Sequence, residues 1–168
     1  MKLYIYRGLD DEEIPWDITH VIVEDKVTVI KARAFFARMN LVSVIMGDKL
    51  KRIEVSAFPN CCYIRFIRLS KTLEYIEMFA FYLCESLEAL FLPSTLISIE
   101  IWAFYDCQSM RLLILPNGIN LSNIHHDIIF RTIIQQTAAN AGVSYEFDDD
   151  DGIARIGKTG LVMRVSTE

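Results

Sequence analysis

The chain has 168 residues and a formal net charge of −5, a length that suits one domain and a charge that argues against nucleic-acid binding, because affinity for phosphate rests on Lys and Arg. At 52% hydrophobic and 23% charged residues the balance is that of a globular chain, which excludes intrinsic disorder. No stretch approaches the roughly 20 apolar residues of a membrane span, and Met1-Lys2-Leu3-Tyr4-Ile5-Tyr6 running into Asp10, Asp11, Glu12 and Glu13 lacks a signal-peptide pattern, so a cytoplasmic setting is expected.

Residues 1–18 read as an N-terminal segment or cap. Beyond them the chain is periodic: Ala-Phe recurs at Ala34-Phe35, Ala57-Phe58, Ala80-Phe81 and Ala103-Phe104, a spacing of 23 residues. Leu41, Ile64, Leu87 and Met110 keep the same phase, as do Leu50, Leu73, Leu96 and Ile119. A period between about 20 and 50 residues means one supersecondary unit stacked on copies of itself, none able to bury its apolar side alone. Within one unit, the alternation of Leu90 and Leu92 marks a short strand that Pro93 stops. Ser94-Thr95 turns the chain, Leu96 and Ile99 point back inside, and Ile101-Trp102-Ala103-Phe104 is expected to make a tight helical turn into the next unit. The strand columns Val21, Val44, Ile67, Leu90, Leu113 and Val23, Met46, Leu69, Leu92, Leu115 are wholly apolar and face inward.

The pattern L-x-x-L-x-L-P, L-x-x-I and A-F-x-x-C, as in Leu87 to Ile99 and Ala80-Phe81-Tyr82-Leu83-Cys84, resembles the BspA-like class of leucine-rich repeats over roughly residues 19–121. Ordinary leucine-rich repeats place an asparagine after the strand. Lys49, Thr72, Thr95 and Gly118 stand there instead, which excludes the asparagine-ladder subclass. The resemblance implies a right-handed solenoid, with parallel β-strands on one side and short helical turns on the other, that acts as an interaction or adhesion surface. It carries no catalytic residues and no cofactor.

Cys61, Cys84 and Cys107 share one column, with Arg38 in the earlier copy. They read as buried thiols, since a straight ladder of three does not converge on a tetrahedral metal. From Ser122 to Ala141 the apolar residues Ile124, Ile128, Phe130, Ile133, Ile134, Ala138 and Ala141 recur at helical spacing, and a C-terminal capping helix is expected within 122–168. His125 and His126 in its first turn have no partner cluster and read as exposed or packed. Gly152 to Thr159 fits the phosphate-binding G-x-x-x-x-G-K-[ST]. Four aspartates precede it and nine residues follow, too few for the strands and helix that the chemistry needs, so a polar tail is the expected reading.

Two surface columns remain. Lys31, Glu54, Glu77 and Glu100 read as a solvated face. The outward strand positions Ile22, Ile45, Arg68, Phe91, Ile114 and His20, Ser43, Phe66, Ala89, Leu112 are mostly apolar, where a solvated sheet would be polar. Ile22, Ile45, Phe66, Arg68, Phe91, Leu112 and Ile114 are therefore the candidate binding surface, a patch of roughly 400 Å². The expected function is a non-catalytic protein-interaction module without metal or cofactor, with self-association as the alternative and nucleotide hydrolysis through the tail motif as a remote one. Cover of the face by the N-terminal segment or the tail is a further possibility.

Overall fold

In a computed structural model the chain is described over residues 1–116, 119–120, 123–124, 127–135, 154–156 and 161–163. The repeats form the coil that the periodicity predicts, each contributing two short strands. β1 (Leu3–Tyr6), β2 (His20–Val23), β4 (Ser43–Ile45) and β6 (Phe66–Arg68) make a parallel sheet in that order. β8 (Ala89–Phe91) and β10 (Leu112–Ile114) pair in parallel as a second sheet. β3 (Val29–Ile30), β5 (Arg52–Ile53), β7 (Tyr75–Ile76) and β9 (Ser98–Ile99) make the third. Register follows the repeat: Val21 lies opposite Val44, Val44 opposite Ile67, and Ile76 opposite Ile99.

The core is built from columns of equivalent residues. Phe35, Phe58, Phe81 and Phe104 are fully buried, and their rings stack nearly parallel at centroid distances of 4.7, 5.3 and 5.5 Å. Alanine beside each ring leaves room for the turn to close on the sheets, and Ala57, Ala80 and Ala103 are buried. At the N-terminal end β1 adds a strand outside β2, and buried Tyr6 covers Phe35 at 5.2 Å, its hydroxyl accepting the Lys31 N–H.

The turns carrying Ala-Phe are not helical, contrary to the expectation. Alternate amides bond to the next rung, as Phe35, Phe58 and Phe81 do in donating to Ala57, Ala80 and Ala103 O, each at 2.8 Å, while those between them close local turns, as Ala80 does on Glu77 O at 3.2 Å. Holding these amides outward requires two left-handed residues per turn, at Arg33, Ser56, Phe79 and Trp102 and again at Ala37, Asn60, Leu83 and Asp106, with φ between 51° and 59°. Such a conformation costs about 1 kcal/mol or more for a side chain with a Cβ. The ladder of inter-rung hydrogen bonds and the ring stack offset it.

The predicted capping helix differs as well. Among the described residues of that segment, 133–135 are helical and 127–131 are turn. Ile124 bridges Ile99 in parallel, Phe104 donates to Ile128 O at 2.9 Å and Asp106 to Phe130 O at 2.9 Å. Ile128 and Ile129, both fully buried, thus stand where alanine and phenylalanine stand in earlier turns, and Arg131 repeats the left-handed position with φ 59°. Two extra residues shift the phase, which is why the apolar positions imitate a helical spacing. The remainder of the predicted helix, with His125 and His126, lies outside the described residues.

Candidate interaction surfaces

Strand alternation brings the candidate residues to one face. The register sets Ile45 between Ile22 and Arg68, and Phe91 beside Ile114. Phe66 is 57% and Phe91 65% exposed, Ile22 39%, while Ile45, Leu112 and Ile114 are half-buried. β1 lies beside β2 in the plane of the sheet and so does not cover them.

The sequence gives no sign of a break in this face, yet β6 and β8 are not hydrogen-bonded neighbours. Their rungs remain joined below, where Ser86 donates to Cys62 O at 3.1 Å. The opening leaves Ile67 and Leu69, expected to be fully inward, only partly buried. It forms a groove of about 660 Å³ whose walls include Arg65, Phe66, Arg68, Glu88, Phe91 and Pro93. Two aromatic side chains and two guanidinium groups therefore meet at the site where backbone strand edges are left without sheet partners.

Polar columns of the coil are structural. The thiols of Cys61, Cys84 and Cys107, fully buried, donate to Phe35, Phe58 and Phe81 O at 3.1, 3.3 and 3.1 Å. Burial pushes the Cys61 thiol up to about 12 and raises Cys84 and Cys107 as well. Held protonated in this way, the column lacks the thiolate that reacts as a nucleophile. A thiol reagent should accordingly modify Cys62, which is only partly buried, well before the other three; native-state labelling of the column at a comparable rate would show the strand phase to be wrong. In the earlier copy Arg38 fills the same column and donates to Ile14 O at 2.7 Å. A threonine ladder stands in for the missing asparagines. Thr72 Oγ1 donates to Asp48 O at 2.7 Å and Thr95 Oγ1 lies 2.7 Å from Leu73 O, serving carbonyls of the preceding rung.

The acidic row, expected to be a solvated face, has a structural task. Glu54, Glu77 and Glu100 accept the amides of Ala32, Val55 and Met78 at 2.8, 3.0 and 3.0 Å. Each carboxylate caps the start of the preceding turn, and Arg52 also donates to Glu77 at 2.7 Å. Lys31, at the head of the row, pairs with Asp10. Replacing Glu77 by alanine should destabilise the fold by about 1–3 kcal/mol, since the half-buried Val55 amide loses a charged acceptor. A chemical-denaturation midpoint unchanged by the substitution would return the row to a purely solvated role.

The turn face carries a second aromatic cluster that the reading from sequence passed over. Phe79 stacks on Trp102 at 5.2 Å, Tyr82 lies 5.4 Å from Tyr105, and Tyr105 stacks on Phe130 at 5.4 Å. These residues flank Ala-Phe on either side, in phase, which was the available signal. At the other end of the chain, β11 (Ala154–Ile156) pairs antiparallel with β12 (Leu161–Met163). The described residues inside the Gly152 to Thr159 motif, 154–156, are thus an extended, paired strand, unlike the loop that holds phosphate. Among the described residues no group of three or more His, Cys, Asp or Glu is placed to hold a metal, and no helix is long and apolar enough to cross a membrane.

Stacked parallel strands joined by tight turns, with repeat-long columns of Leu, Ala-Phe and Cys, define a leucine-rich repeat solenoid. A profile described as BspA type leucine rich repeat region, in six copies, matches residues 15–137, and the chain belongs to that family. Among solved structures it is similar to the leucine rich repeat protein of T. pallidum, with 25% identity and a TM-score of 0.60 over 63% of this chain and 51% of that one. It is also similar to a leucine rich cell surface protein of Faecalibacterium prausnitzii, with 23% identity and a TM-score of 0.61 over 71% of this chain and 33% of that one. A leucine-rich repeat protein of Bacteroides ovatus gives 25% identity and 0.57, over 61% and 27%. The chain thus spans about half of the first of these proteins and about a third or less of the others. Comparison with curated proteins gave no match.

Proposed function

We propose that the chain is a non-catalytic protein-interaction module and that its contact surface is the sheet face centred on Phe66 and Phe91. The observation that carries this reading is the exposure of two large aromatic side chains across an opening in the sheet, at 57% and 65%. Solvated sheet faces are polar, whereas aromatic and arginine side chains over a partly open groove are the residue types enriched at interface hot spots. Family membership supports the general role, since leucine-rich repeats of this kind act as interaction surfaces. Ile22, Ile45, Arg68, Leu112 and Ile114 extend the contact along neighbouring rungs. The reading places the chain in the cytoplasm, where four free thiols persist in the reduced state.

A photo-crosslinking amino acid in place of Phe91 tests the reading in the cells that make the protein. The expected product is a covalent adduct with one different protein, absent when the same group replaces exposed Met39. An adduct of twice the chain mass would instead assign the face to self-association, and sedimentation of the purified chain would then show a dimer. No adduct above the Met39 control would remove the sheet face from consideration.

A further inference from the structure

The residue immediately before each Ala-Phe forms a column on the turn face: Arg33, Ser56, Phe79 and Trp102. All four share one backbone conformation, with φ of 58°, 51°, 57° and 58°, so their side chains leave the coil in the same way on successive rungs. Phe79 and Trp102 stack at 5.2 Å with planes 29° apart. Ser56 then interrupts the stack with a side chain far smaller than a ring. Equivalent atoms on adjacent rungs are about 4.8 Å apart, so Arg33 and Phe79, two rungs apart, are separated by roughly twice that distance. This is the thickness needed for one planar ring at stacking distance from both. The gap is a real feature of the surface. A groove of about 590 Å³, mainly apolar, runs along this face; Ser56, Pro59, Asn60 and Phe79 line it, and it continues past Tyr82 to Trp102 and Tyr105. Arg33 borders it and has no ion-pair partner among the described residues.

We propose that the slot between Arg33 and Phe79, above Ser56, is a binding site for a small aromatic carboxylate. The ring continues the Phe79–Trp102 stack, and its other face meets the guanidinium plane of Arg33, which stacks on aromatic surfaces. The carboxylate is the charge complement of Arg33, which has no ion-pair partner among the described residues. Asn60 and Ser56 offer hydrogen bonds at the floor. The site is separate from the sheet face, and its test does not depend on the interaction reading.

The test uses 2-naphthoate as the probe, with 2-naphthylmethanol as a neutral analogue and cyclohexanecarboxylate as a non-planar one, titrated calorimetrically against the full chain. Naphthoate is expected to bind at least tenfold more tightly than either analogue. Ser56→Phe fills the slot with the ring type that the same backbone already carries at Phe79, so it is expected to keep the melting temperature and weaken naphthoate at least tenfold. Arg33→Gln is expected to weaken naphthoate at least tenfold and the neutral analogue by much less, because that analogue loses only the guanidinium stack. Magnetisation transfer from the naphthoate ring protons to Ser56 and Phe79 on the unmodified chain gives an answer even if Ser56→Phe fails to fold. Equal binding of naphthoate to Ser56→Phe, equal affinity for the three probes, or transfer to residues elsewhere would overturn the assignment.

Discussion

Replacing Phe81 by alanine is expected to lower the unfolding free energy by about 3–5 kcal/mol, the range for a fully buried aromatic side chain truncated in a close-packed core. Phe81 stacks between Phe58 and Phe104 at 5.3 and 5.5 Å, so its removal leaves a cavity between two rungs at once. In a solenoid, stability is the sum of each repeat and its interfaces with neighbours, and a central rung has two such interfaces. For a domain of this size the loss corresponds to a melting temperature lower by on the order of 10 °C. Met39→Ala, at an exposed turn position, is the control and should change stability by roughly 0.5 kcal/mol or less. A small effect at Phe81 would mean that the ring column is not the spine of the fold.

The second large effect is expected in binding. With the partner identified by crosslinking at position 91, changing Phe66 and Phe91 to serine together should weaken the complex by at least about a hundredfold. Aromatic anchors of an interface commonly contribute 2 kcal/mol or more each, and each 1.4 kcal/mol is a factor of ten. Arg68→Ala, beside them, should have a smaller effect that shrinks as salt rises, because an exposed charge contributes mainly through a screened field. Unchanged affinity in the double variant would move the contact surface to another face of the coil.

Much of the fold was legible in the sequence because a repeat writes the same structural demand several times. Phe35, Phe58, Phe81 and Phe104 stand in register in the chain and stack in the structure, and Cys61, Cys84 and Cys107 are buried as their column implied. What the period could not convey is where the hydrogen bonds go. The segment around Ile101-Trp102-Ala103-Phe104 has the apolar look of a helical turn, but the Phe104 and Asp106 amides bond across rungs, which demands left-handed residues such as Trp102 and Asp106. The same blindness turned Glu54, Glu77 and Glu100 into a solvated row, since a carboxylate capping an amide of the neighbouring rung reads in sequence like any exposed charge. Past Ile114 a two-residue insertion breaks the phase, so that Ile128 and Phe130 read as part of a helix face although Ile128 and Ile129 occupy the Ala-Phe positions of one more turn.

The candidate site was legible only in outline. Alternation placed Ile22, Phe66 and Phe91 on an outer face, and the structure leaves them exposed there. The opening between β6 and β8 had no counterpart in the sequence, because Phe66 to Leu69 and Ala89 to Leu92 are in perfect phase. The aromatic slot on the turn face was within reach of the sequence. Arg33, Ser56, Phe79 and Trp102 form a column as regular as the others, and the single small residue among them marks the gap.

Thermal unfolding of the Phe66→Ser, Phe91→Ser variant tests the central claim most directly, because it asks whether the sheet face is free surface or core. Side chains 57% and 65% exposed have little burial to lose, so the melting temperature should stay within about 2 °C of the parent chain. A loss approaching that of Phe81→Ala would show that the face is covered within the folded chain and is not its contact surface.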